Sequence, residues 1–94
     1  MNRAEFRFYA ELNDFLPPQQ RDALIGYAFN DNPGIKDPIE ALGVPHTEVD
    51  LIVVDGESRG FDYQLRDGDR VAVYPVFEGF DISPIVKLRG QPLR

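Results

Sequence analysis

The sequence predicts an α+β domain in which a mixed sheet of four to five strands packs on one main helix. Three observations carry that prediction. The run Leu65-Arg66-Asp67-Gly68-Asp69-Arg70-Val71-Ala72-Val73-Tyr74-Pro75 places an Asp-Gly-Asp turn directly before an alternating strand that a proline closes. Gly68 takes positive φ at no steric cost, and the flanking aspartates bond to nearby backbone. Glu5-Phe6-Arg7-Phe8-Tyr9-Ala10-Glu11-Leu12 opens the chain with a second period-two pattern. Between them, Ile35, Ile39 and Leu42 fall at i, i+4 and i+7, the spacing of a buried helical stripe.

Each element follows from its residues. In the first strand, Phe6, Phe8, Ala10 and Leu12 share one face while Glu5, Arg7, Tyr9 and Glu11 share the other. Leu16-Pro17-Pro18-Gln19-Gln20-Arg21-Asp22 reads as a hairpin loop, because neither proline donates to a ladder. Ala23 to Phe29 forms the second strand, at or near an edge since Gly26 weakens it. Asn30-Asp31-Asn32-Pro33-Gly34 is the densest turn signal. The helix after this turn has two possible starts. Asp37-Pro38-Ile39-Glu40 has the form of an N-cap, a proline at N1 and a capping-box acid, whereas a start near Gly34 gives a longer helix. The longer helix is expected, with Gly43 at C′ and Pro45 blocking extension.

Asp50-Leu51-Ile52-Val53-Val54 is a near-continuous apolar run, as in a strand covered on much of both faces. Asp55-Gly56 turns it. Ser58 to Leu65 holds a short edge strand or an irregular crossing with Phe61 and Leu65 inward, and Val71 to Val76 is the last strand. Strand, strand, helix, strand, short strand, strand is the order of a ubiquitin-like β-grasp. In that topology the first and last strands are parallel neighbours at the sheet centre.

The composition narrows the function. The chain has 94 residues, enough for one small domain, and its 43% hydrophobic content is that of a globular protein rather than a disordered tail. It has no cysteine, which removes disulfides, thiolate catalysis and cysteine-ligated metals. No stretch approaches the ~20 apolar residues of a membrane helix, so a soluble cytoplasmic protein without membrane contact is expected. The net charge of −6 argues against direct nucleic-acid binding. Residues 1–81 hold 7 basic and 16 acidic side chains, whereas 82–94 hold Lys87, Arg89 and Arg94 with no acid. An acidic body therefore carries a basic, partly apolar end.

No constellation of catalytic residues emerges. His46, in Val44-Pro45-His46-Thr47-Glu48, is the one histidine and lacks convergent partners for a base or a metal site. Asp67 and Asp69 read as turn formers rather than calcium ligands, since no EF-hand spacing follows. Ser58 and Ser83 have no base, and no glycine-rich phosphate loop exists. The expectation is a protein that is not an enzyme and holds no cofactor or metal.

The residues Phe6 to Leu12, Ile39-Glu40-Ala41-Leu42-Gly43-Val44-Pro45-His46-Thr47-Glu48-Val49, and Leu65 to Phe77 with Asp81-Ile82-Ser83-Pro84 resemble the Mut7-C ubiquitin-like domain. That bacterial domain sits N-terminal to a Mut7-type RNase domain, PIN-like with a zinc ribbon, and is distantly similar to bacterial sulfur carriers. The resemblance implies a non-catalytic protein-interaction module, accessory to such an RNase domain in cis or in trans. The family's nuclease residues and zinc ligands belong to the second domain, and none carries over. On this reading residues 1–77 are the ubiquitin-like domain and 78–94 an extension, docking segment or linker, ending at Gln91-Pro92-Leu93-Arg94 about where the RNase domain would begin.

The alternative is a sulfur carrier or ubiquitin-like modifier, activated at a C-terminal glycine after trimming. Val86-Lys87-Leu88-Arg89-Gly90 is similar to the end of such proteins, but they close on Gly-Gly and here Gly90 is single.

Two surfaces are expected to bind. If Phe6, Phe8, Val71 and Val73 face the helix, then Arg7, Tyr9, Ala72 and Tyr74 gather on the opposite, open face, with Ile52 or Val54 joining them. Tyrosines and arginine dominate interface energetics. The second surface is the tail: Phe80, Ile82 and Ile85 are too apolar for a solvated end. They are expected to fold back over the open face, with Lys87 and Arg89 meeting acidic surface, or to dock on the RNase domain.

Overall fold

The computed structural model describes residues 1–76. Its strands are β1 (Asn2–Phe8), β2 (Ile25–Phe29), β3 (Val49–Val54), β4 (Glu57–Arg59) and β5 (Arg70–Pro75), and the one α-helix among these residues is α1 (Lys36–Ala41). They build a five-stranded sheet in the order β2-β1-β5-β3-β4. β1 runs parallel to β5, with Phe6 opposite Val71 and Phe8 opposite Val73, while the other pairings are antiparallel. The first and last strands are thus central and parallel, and β2 is an edge, as expected.

The first strand is shorter than its alternation suggested. β1 stops at Phe8, and Ala10, at φ 53°, turns the chain into a 3₁₀ helix over Ala10–Phe15. Asn13 holds this corner from a buried position. Its Nδ2 donates to the Phe8 and Ala10 carbonyls, each at 3.0 Å, and its Oδ1 accepts the Asp22 N–H at 2.9 Å. Leu12 remains fully buried, now from this 3₁₀ helix rather than from a strand. The proline segment includes a second 3₁₀ turn, Pro18–Gln20, so the expected hairpin connection is itself partly helical and β2 begins only at Ile25.

The helix is also shorter, six residues, and the capping box does not form: the position before it is Ile35, with no side-chain cap. The cause lies upstream. Ile35 N–H donates to Tyr63 O and Leu65 N–H to Pro33 O, both at 2.8 Å, so Pro33 and Gly34 are pinned to the crossing segment and the chain turns helical only from Ile35, at φ −64° and ψ −21°. Ile35 and Ile39 still sit fully buried, with Leu42 half-buried beside them. Gly43 ends the helix at φ 110° as anticipated. Its N–H reaches Glu40 O at 3.0 Å and Val44 N–H reaches Ile39 O at 3.3 Å, a Schellman closure with Val44 and Ile39 both in the core.

β3 and β4 are joined through Asp55 (φ 49°) and Gly56 (φ 87°), the doubly positive geometry of a tight hairpin. The core lies between one sheet face and α1. Phe6, Phe8, Val71 and Val73 point into it, joined by Leu12, Leu16 and Leu65 from connecting segments. The Phe6 and Phe8 rings lie 6.3 Å apart and nearly parallel.

Candidate functional site

Period-two alternation sends every second side chain of β1 and β5 away from the core, and the register decides which of them meet. Arg7 stands opposite Ala72. Tyr9 N–H donates to Val73 O at 3.0 Å, carrying the parallel ladder one residue beyond β1 and setting Tyr9 beside Tyr74. The two phenol rings stack with centroids 4.5 Å apart and planes 10° from parallel. The Arg7 guanidinium carbon lies 5.5 Å from the Tyr9 centroid. Arg7, Tyr9, Ala72 and Tyr74 are therefore brought together, each half-buried, on the face opposite the helix. Burial, and then the neighbouring Tyr9 phenol, push the Tyr74 hydroxyl above its ordinary pKa.

The third strand contributes in the opposite phase from that expected. Ile52 pairs with Val73 and Val54 with Val71, so both point into the core, at 3% exposure each. Leu51, opposite Tyr74, and Val53, opposite Ala72, are the residues that reach the open face. The register shifts between Val49 and Leu51, which lets Val49 join the core while Asp50 is exposed. Leu24 and Arg70 also border the site. Together with Arg7, Val53 and Ala72 they line a pocket of about 290 Å³. The signal for Leu24 was its position two residues before Gly26, on the outward phase of β2; Arg70 is two before Ala72. For Leu51 and Val53 the unbroken apolar run offered no phase.

Phe80, Ile82, Ile85, Lys87 and Arg89 lie outside the described residues.

The remaining polar clusters are structural. Asp69, buried, accepts the Tyr63 hydroxyl and the Arg66 N–H, each at 2.8 Å, and Asp67 accepts the Arg3 N–H at 2.8 Å. Asp69 thus acts as a turn carboxylate, as expected, whereas Asp67 ties the turn to β1. Burial and the Asp69 bond raise the Tyr63 pKa. His46 bonds through Nδ1 and its backbone N–H to Glu40, and its ring meets Phe61 edge-on. The His46 side-chain bond, and then its backbone bond, hold the Glu40 carboxyl below its usual value. Among the described residues no three His, Asp or Glu side chains converge on a metal-sized space, and no helix is long and apolar enough to cross a membrane.

Solved structures share this architecture. A putative molybdopterin converting factor, subunit 1, from Pyrococcus furiosus superposes with a TM-score of 0.60 at 21% identity, over 82% of this chain and 100% of that one. SAMP1 from Haloferax volcanii gives 0.63 at 16% identity, over 84% and 100%. A second structure of the small archaeal modifier protein 1 from H. volcanii gives 0.63 at 14%, over 82% and 100%. At such identities the likeness establishes the fold, a ubiquitin-like β-grasp. No curated protein sequence matches the chain. The sequence profile of Mut7-C ubiquitin does match it, over residues 1–81, a span that takes in all five described strands, α1 and the open face. By fold and by sequence, the chain belongs to the Mut7-C ubiquitin family.

Proposed function

We propose that this ubiquitin-like module is a non-catalytic docking domain for a Mut7-type RNase domain, in cis or in trans, and that it engages its partner through the open sheet face. The observation that supports this reading is the Tyr9–Tyr74 stack with Arg7 beside it, held half-exposed by the two central strands. Aromatic and arginine side chains on a rigid sheet lose little conformational freedom on binding, which is why they anchor interfaces. None of the described polar clusters has the arrangement of nucleophile, base and orienting group that catalysis needs.

Titration of the isotope-labelled protein with a separately produced Mut7-type RNase domain tests the proposal. Saturable shifts centred on Arg7, Tyr9, Ala72 and Tyr74 are expected. Absence of binding at sub-millimolar concentration, or shifts confined to β4 and α1, would reject it. A second assay addresses the carrier alternative: incubation with an adenylating enzyme, ATP and a sulfur donor, followed by mass spectrometry. A thiocarboxylate on a chain trimmed to Gly90 would place the protein among sulfur carriers instead.

A further inference from the structure

We propose that the pocket beside the tyrosine stack takes a carboxylate borne next to an apolar side chain on a protein partner, with Arg7 as its anchor. This rests on the docking role of the open face and names the chemistry that the face selects. Arg7 is fixed from below, because Phe6 and Phe8 on either side of it are in the core. Its Nε is shielded from water yet has no hydrogen-bond partner among the described residues. A carboxylate that reaches Nε must turn the side chain from its present seat beside Tyr9; it then satisfies the unpaired donor and presents two oxygens to the guanidinium fork.

The rest of the pocket matches such a group. Leu24, 53% exposed, with Val53 and Ala72 supplies an apolar wall. Arg70, on the same rim, adds positive charge; its Nε lies 3.4 Å from Glu5, and the one acid lining the pocket, Asp55, is turned to the Arg70 backbone, whose N–H it accepts at 3.2 Å. A volume of about 290 Å³ is that of one or two side chains rather than a cofactor.

Charge distinguishes a peptide from a nucleic acid. On β1 and β5 the open face carries three arginines, Arg3, Arg7 and Arg70, and one acid, Glu5. Residues 1–76 as a whole hold 14 acidic and 7 basic side chains. A small basic island in an acidic domain attracts one or two carboxylates but repels an extended polyanion. The Tyr9 ring, moreover, is already engaged by Tyr74 and Arg7 rather than free to stack on a base.

The test uses the full chain, a short peptide of alternating Glu and Leu, its Gln-for-Glu counterpart and an oligouridylate, each added in an NMR titration. The Glu peptide is expected to shift Arg7 Nε–H and the amides of Val53 and Ala72 saturably, and the Gln peptide to bind about tenfold more weakly. Arg7→Gln, its fold verified by thermal unfolding, should lose the same factor. Leu24→Asn, at an exposed position, should weaken binding through the apolar wall, and Lys36→Gln on α1 should leave it unchanged. Equal affinity for the Gln peptide overturns the proposal. So does preferential binding of the oligouridylate at these resonances, or their displacement by protein concentration alone, which would make the occupant a second copy. If the RNase domain fails to bind while the Glu peptide succeeds, the pocket stands and the RNase role falls; the converse result rejects only the pocket.

Discussion

Tyr9 and Tyr74 stack face to face from two adjacent parallel strands, 4.5 Å between ring centroids, on the side of the sheet away from the helix. An aromatic pair contributes about 0.5–1.5 kcal/mol beyond the area that it buries. Tyr74→Ala should therefore reduce stability by about 1–2 kcal/mol in urea unfolding, yet weaken RNase-domain binding by tenfold or more. A stability loss of several kcal/mol with unchanged affinity would make the pair part of the core.

Phe6 sets the contrasting case. It is fully buried on β1, near Phe8 and edge-on to Tyr27 at 5.9 Å. Phe6→Ala removes a ring that the central strands cannot collapse to replace, and should cost about 3–5 kcal/mol. In a domain with a total stability of about 5–15 kcal/mol, that is a large share, measurable as a lowered urea midpoint with unchanged slope.

Two glycines separate backbone strain from crowding. Gly43 (φ 110°) and Gly68 (φ 89°) both hold conformations that a side chain disfavours. A Cβ at Gly43 would also stand 3.1 Å from the Phe15 carbonyl oxygen, whereas one at Gly68 would meet nothing within 4 Å. Alanine should destabilise both sites, by roughly 1–2 kcal/mol at Gly68 and measurably more at Gly43. Equal losses would show that the neighbouring backbone yields.

Acid and alkali probe opposite groups. The folded Glu40 carboxyl lies below its reference value of 4.5, so its bond to His46 contributes stability above the unfolded pKa and loses it as pH falls through the folded one. Glu40→Gln should flatten that part of the acid limb. Tyr63 is shifted upward, so its contribution is intact below the unfolded tyrosine pKa, about 10, and is lost as pH rises through the folded value. Tyr63→Phe should reduce the alkaline slope and cost about 1–2 kcal/mol at neutral pH by removing a donor to Asp69. Unfolding curves between pH 3 and pH 11 would show both limbs.

Where the sequence alternated cleanly, it was legible. Phe6, Phe8, Val71 and Val73 could be placed in the core, and Arg7, Tyr9, Ala72 and Tyr74 opposite, because polar and apolar positions disagree along β1 and β5. β3 offered no such contrast: Leu51, Ile52, Val53 and Val54 are apolar on both phases, and only the pairing with β5 shows which two face inward. Alternation also ran past a real strand end, since nothing local in Tyr9-Ala10-Glu11-Leu12 announces a positive φ at Ala10. That corner depends on Asn13 and Asp22, nine residues apart. The short helix has a similar origin, in bonds from Pro33 and Ile35 to the chain some thirty residues later.

The parallel pairing at the sheet centre has a mechanical consequence. Asn2 enters β1 at one end of the sheet, and Pro75 leaves β5 at the other, with the two strands side by side between them. Tension applied between Asn2 and Val76 runs along both strands in opposite directions, so the hydrogen bonds joining them bear load in shear and yield together. Tension between Asn2 and Phe29, which are cross-strand partners in the antiparallel β1–β2 pair, instead opens that ladder one bond at a time from its end. Single-molecule pulling should therefore record a markedly higher rupture force for the first geometry than for the second. A domain wired in this way resists extension between its first and last strands, while its β2 edge peels away with little force.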